Sequence, residues 1–207
     1  MSVKTASKFI LVAVLLGVVP ASRAQRPAYL KAIEIVSSDD KIPIARREYT
    51  NFSSRGVIDH LELEENIENQ TIVLHAVTGT NVELKVEQRF ETSLTVMEEG
   101  PHLDLTSWKH YRSAWVDIKR VRENRFVTSR IDPSEYTRFP RVTPPEIRQA
   151  VLAAGGARWA RLVRNVRNPN DYPAAVSISR ISFRISARDG ARWRTLTVVH
   201  MDLPMGC

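Results

Sequence analysis

Cysteine is nearly absent from this 207-residue chain: the one copy is the final residue, Cys207. A framework of internal disulfides is therefore excluded, as are CxxC metal or redox sites and any Cys–His hydrolase. The Gly-rich phosphate loops, the GxSxG nucleophile elbow and HExxH are missing too, so no cofactor and no metal site is expected. The longest apolar run, Phe9–Val19, spans about 11 residues, whereas crossing a bilayer core of roughly 30 Å as a helix takes ~20. What a short run of this kind suits is export. Lys4 and Lys8 precede it, Pro20 ends it, and Ser22-Arg23-Ala24 places small residues at −3 and −1. Residues 1–24 are read as a secretory signal peptide cleaved after Ala24, which makes the protein secreted or periplasmic and leaves no transmembrane segment in the mature chain. In an oxidising compartment Cys207 is free to form an intermolecular disulfide.

The remaining residues, 25–207, suit one globular domain with a core of its own. Their charge is unevenly spread. Residues 25–107 hold 8 basic and 15 acidic side chains, net −7; residues 108–207 hold 19 and 8, net +11. Such a split fits either a basic binding face or two halves that attract each other. The acidic partner of an exported protein is an envelope component, and nucleic acid is not expected.

Period-2 patterns dominate. Tyr29–Val36 reads as a first strand, and "VIDHLELEE", "TIVLHAV", "NVELKVEQRF" and "TSLTVMEE" as further strands. Val82, Leu84 and Val86 alternate with Glu83, Lys85 and Glu87, as in a sheet with one wet face. Links this short leave no room for crossover helices, so the pairing is antiparallel. "AWVDIKRVRENRFVTSRI" adds two strands around Glu123-Asn124. Pro144-Pro145-Glu146 suits a helix start, and Gly155-Gly156 ends or kinks that helix. In "ARWARLVRNVR", Trp159, Leu162, Val163 and Val166 share one helical side, predicting a second amphipathic helix that covers the sheet. Asp189-Gly190 reads as a two-residue hairpin turn, which pairs Ile185 with Arg194, Phe183 with Leu196 and Ile181 with Val198. The expected fold is α+β: a mainly antiparallel sheet of about seven to nine strands, one or two helices over about 145–167 on one face, and a C-terminal β-hairpin.

Three His-x-acid pairs could offer a nitrogen and an oxygen from one strand face: His60/Glu62, His102/Asp104 and His200/Asp202. His75, within an apolar run, is expected to be a hydrogen-bonded core residue. The densest segment is "GPHLDLTSWKHYRSAW", residues 100–115. Trp108 and Tyr111 present flat apolar faces, while His102, Asp104, His110 and Arg112 add hydrogen bonds and charge, a mixture that suits peptides, glycans or a protein hot spot. A second expected contact surface is basic, built from Arg158, Arg161, Arg164, Arg192 and Arg194. The favoured function is thus a non-enzymatic binding or interaction protein of the envelope, whose partner is a protein, peptide or glycan. The alternative is a metal-dependent or acid/base hydrolase using His102, Asp104 and His110.

Overall fold

A computed structural model describes residues 30–37, 44–52, 56–76 and 82–205. Residues 1–24, read from the sequence as a signal peptide, and Cys207 lie outside these residues. Twelve strands and one helix are present among them, so the α+β class and the antiparallel character hold while the strand count exceeds the seven to nine expected. The strands also divide between two sheets. One has the order β2-β1-β4-β10-β9, from β1 (Leu30–Val36), β2 (Arg47–Tyr49), β4 (Thr71–Ala76), β9 (Lys119–Arg122) and β10 (Arg125–Val127). The other has the order β3-β12-β11-β5, from β3 (Val57–His60), β5 (Leu84–Met97), β11 (Ala174–Asp189) and β12 (Arg192–Asp202). Three short segments, β6 (His102–Asp104), β7 (His110–Arg112) and β8 (Val116–Asp117), pair in turn with β5 as one interrupted edge strand. That interruption accounts for part of the excess over the expected count. The β3–β12 pair is parallel, and all other pairs are antiparallel.

The two sheets enclose one core. Ile33, Ile35, Ile72, Leu74 and Phe126 from the first meet Val86, Phe90, Ile181, Phe183, Ile185, Val199 and Met201 from the second. Period-2 burial identifies which side of a strand is apolar but not which sheet receives it, and the chain changes sheet repeatedly. Polar side chains clamp both margins. On one, Arg47 of edge strand β2 bonds Asp59 of edge strand β3 at 3.1 Å and also Glu65, while the Tyr49 hydroxyl donates to Asp59 at 2.6 Å. On the other, the buried Gln88 amide donates to the Ser129 carbonyl at 2.9 Å and accepts its N–H at 2.8 Å, as a strand neighbour would.

Strands β5 and β11 run beyond the two-sheet core, and the helix α1 (Pro144–Leu162) covers the overhang. Leu94, Val96, Ala174 and Val176 pack there against Ile147, Val151, Val163 and Val166, with Trp159 and Leu162 partly buried beside them. The Glu146 carboxylate accepts the Thr143 N–H at 2.7 Å and the Thr143 hydroxyl at 2.9 Å, tying down the helix entry. Gly156 breaks the helix at φ 77°, ψ −173°, a conformation close to glycine-only, which is where the Gly-Gly pair predicted a kink. Among the described residues no helix is long and apolar enough to cross a membrane.

The C-terminal hairpin is present, but its register differs from the sequence reading. Asp189 pairs with Arg192, so the turn is Gly190-Ala191, and a bulge leaves Leu196 unpaired between Ser186↔Thr195 and Ile185↔Thr197. Beyond the bulge Phe183 faces Val199 and Ile181 faces Met201. An extra residue inverts the facing of everything past it, so Val199 and Met201 reach the core and Val198 does not. The same inversion places Thr197 inside with its Oγ1 lacking a hydrogen-bond partner. Thr197→Val should therefore raise the unfolding free energy by about 1–2 kcal/mol. Val199→Thr should lower it by about 1–3 kcal/mol, and Val198→Thr should leave it within ~0.5 kcal/mol. Urea denaturation of the three variants measures all of this.

Candidate functional site

Residues 100–115 form the interrupted edge beside β5. Each gap in it brings a different feature to the surface. Leu105 is buried in the helix-side core, and Trp108 packs there against Phe139 with ring centroids 6.0 Å apart. Lys109 donates to Glu146 at 2.7 Å, joining this segment to the helix entry and holding the Glu146 carboxyl down to about 2. Tyr111 turns to the core side, against Phe90 and under the Arg138 guanidinium, which bonds the tyrosine hydroxyl at 3.0 Å. The next gap, at Ser113–Trp115, is where Ser113 Oγ accepts the Phe90 N–H that would otherwise belong to the ladder.

Asp104 accepts hydrogen bonds from Thr95 Oγ1 at 2.7 Å and from His102 Nδ1 at 2.9 Å. His110 does not join them. It lies opposite Ser93, whereas Asp104 lies opposite Thr95 and His102 opposite Met97. Four residues of β5 thus separate the two histidines, about 13 Å at 3.3 Å per residue. No group of three His, Cys, Asp or Glu that could hold a metal occurs among the described residues. His75 is also displaced from its expected setting. It sits on the exposed face of β4, paired with Glu34 at 3.1 Å, because Ile72 and Leu74 take the inward positions and parity sends His75 outward. The five arginines expected to share a basic surface fall at opposite ends of the fold. Arg158, Arg161 and Arg164 belong to the helix end and Arg192 and Arg194 to the hairpin end, and β11, 16 residues or about 50 Å of strand, runs between. Arg158 is engaged by Glu98.

The outer face of the seven-stranded sheet, which the alternation Glu83-Lys85-Glu87 suggested would be wet, is instead densely paired. Across its strands runs a row of opposed residues, Arg112, Glu91, Arg180, Asp202 and His60. Arg112 Nε bonds Glu91 at 2.8 Å, Arg180 Nε bonds Asp202, and His60 lies 3.7 Å from Asp202. In the next row Arg89, Ser182 and His200 are neighbours, with Ser182 Oγ 2.8 Å from His200 Nδ1. In the row beyond, Arg184 donates twice to Glu87, at 2.8 and 2.7 Å, and Lys85 adds a 3.2 Å contact. Trp115 is no core residue; its ring stacks on the guanidiniums of Arg89 and Arg184, at 4.4 and 4.6 Å. Burial pushes the His200 imidazole down, and the charges of Arg180 and Arg89 push it the same way against Glu91 and Asp202. His200 thereby favours its neutral form.

Residues 104–116 border three clefts. One, of about 330 Å³, lies on the outer face between Thr106, His110, Arg112, Arg180 and Asp202. A second, about 360 Å³, opens on the core side between Phe90, Tyr111, Val116, Ile131 and Arg138. The third, about 370 Å³, lies between Trp108, Leu105 and the helix alanines. Of the residues singled out by sequence, Asp104, Trp108, His110, Tyr111 and Arg112 line these clefts. Arg89, Arg180 and Arg184 were not singled out, since only strand pairing across 90 residues brings them together.

Glu87, Glu65 and Asp59 are among the carboxylates that give this structure its acid sensitivity. Arg184 holds Glu87 below the ordinary 4.5. Burial raises Glu65, but the N–H groups of Glu62 and Ala45 and the Arg47 charge outweigh it, and the net is again below 4.5. Burial likewise opposes, and Tyr49, the His60 N–H and Arg47 overcome it, for Asp59, which lies below 3.8. A lowered folded value means stability that is complete above the unfolded value and is lost as pH falls towards the folded one. Urea midpoints should accordingly be flat from pH 7 to 5 as far as these groups are concerned and fall below about pH 4.5, with Glu87→Gln reducing that slope. Comparison with protein-family models, curated proteins and solved structures gives no match.

Proposed function

We propose that this is an exported, non-enzymatic binding protein of the envelope that holds a protein, peptide or glycan partner along residues 102–116. One observation carries the reading: a single interrupted edge strand borders three clefts, on both faces of its sheet, and supplies aromatic and cationic side chains to them. Segments of three, three and two residues leave about half of that stretch out of regular strand pairing, and this irregular edge is where a ligand can exchange some of its local contacts for its own. Tyrosine, tryptophan and arginine are the side chains that most often dominate binding energy, because they bury large area at modest entropic cost. Clefts of a few hundred Å³ suit a side chain, a sugar ring or a short peptide better than an extended polymer.

Export is tested by the amino terminus of the protein recovered from its native host. The expected result is Gln25 in the periplasmic or secreted fraction; Met1 in the cytosolic fraction contradicts it. Binding is tested by a photo-crosslinking side chain placed at the exposed Ala114 or, as control, at Tyr172, which is 79% exposed and distant from the edge in sequence. Cross-linking to an envelope component from position 114, absent from position 172 and reduced at least tenfold by Tyr111→Ala with Arg112→Ala, is the expected outcome. Equal yields from both positions, or no product, contradict it.

A further inference from the structure

We infer that the outer face beside the edge strand recognises a carboxylate, with Arg89 as its principal ligand, an inference that rests on the binding role proposed above and names the chemistry it uses. Five cations, Arg89, Arg112, Arg180, Arg184 and Lys85, face three buried or half-buried carboxylates, Glu87, Glu91 and Asp202. Asp117, at the solvent-exposed rim, comes only within 3.9 Å of Lys85. Each carboxylate is already claimed: Arg184 takes Glu87 with two bonds, Arg180 takes Asp202 and Arg112 takes Glu91.

Arg89 is left over. Among the described residues its one ion pair is a 3.6 Å contact with Glu91, and its Nε is buried with no hydrogen-bond partner among them. Its side chain is 17% exposed, so the guanidinium is mostly desolvated yet still reached from outside. Trp115 covers one face of the guanidinium, which fixes its plane and leaves its edge to accept a ligand. Burial disfavours its charge, and repulsion from Arg112, Arg184 and Arg180 acts the same way against the attraction of Glu91. An anion bound at the solvent-reached part of the guanidinium relieves the charge deficit. A planar carboxylate can take two parallel N–H bonds from a guanidinium edge. A phosphate dianion fits less well, because Glu91 stands 3.6 Å from Arg89 and the surplus to be neutralised is small. His200, held towards its neutral form beside Arg89, adds no competing charge.

The test is titration of the full-length mature protein with sodium acetate, read on the Arg89 side-chain Nε–H resonance, with sodium chloride at equal ionic strength and sodium phosphate as comparisons. Expected is a saturable acetate shift that chloride does not produce and that phosphate produces more weakly. Arg89→Lys, which keeps the charge but loses the fork, should weaken the acetate response at least tenfold as read on the Trp115 indole resonance, and Glu91→Gln should strengthen it. A linear response shared with chloride overturns the inference, and so does a phosphate response stronger than the acetate one. Should acetate fail while cross-linking at Ala114 still depends on Tyr111 and Arg112, the carboxylate assignment falls and the binding role stands; should both fail, the binding role falls with it.

Discussion

Strands β5 and β11 pair from Leu84 opposite Ala187 to Val96 opposite Ala174 with a single bulge, and the rest of the described structure is arranged about that pair. One side of it is mainly apolar, interrupted on β5 by the buried, hydrogen-bonded Gln88 and Thr92. Its first half packs against the five-stranded sheet and its second half against the helix, so two cores are joined by the same two strands. The other side is polar along its whole length, and a one-residue slip of β11 would exchange the two sides. The bulge between Ile178 and Arg180 keeps apolar residues inward after the parity of β11 changes.

On the polar side the charges compensate one another across strands. Ion pairs with little water around them stabilise weakly in net terms, because desolvation offsets most of the attraction. What they supply here is orientation: each guanidinium is held by a particular carboxylate, and the one that is not, Arg89, stands in a defined position between Trp115 and Glu91. Recognition by such a face needs no rearrangement of the scaffold. The interrupted edge next to it is different in kind, with short strands, two gaps and clefts on both sides, and it can adjust to a partner while β5 stays fixed.

Much of the local structure was legible in the sequence. Ile33 and Ile35 flag β1, Leu84 and Val86 the start of β5, Gly156 the helix break, and Trp159, Leu162, Val163 and Val166 the buried side beyond it. What was not legible depends on distance along the chain. Nothing local reveals that Ile72 and Val86 meet across two sheets rather than lie in one. The bulge at Leu196 was invisible because either parity of "TLTVVHM" offers apolar residues to the core. The segment 100–115 stood out by composition, yet the partners that give it meaning, Arg89, Glu91 and Arg180, come from strands whose pairing the sequence does not spell out. His75 misled for the same reason: an apolar run marks a buried strand, while the parity within it decides which residues are inward.

Native-state hydrogen exchange resolved by residue bears most directly on the central claim, that a rigid β5–β11 pair carries a weakly held recognition edge. The account predicts that amides of Val86–Val96 and Val176–Ile185 exchange only through global unfolding, while those of His102–Arg112 exchange through local opening at least ~2 kcal/mol lower in free energy. Protection of the edge equal to that of β5 would contradict it.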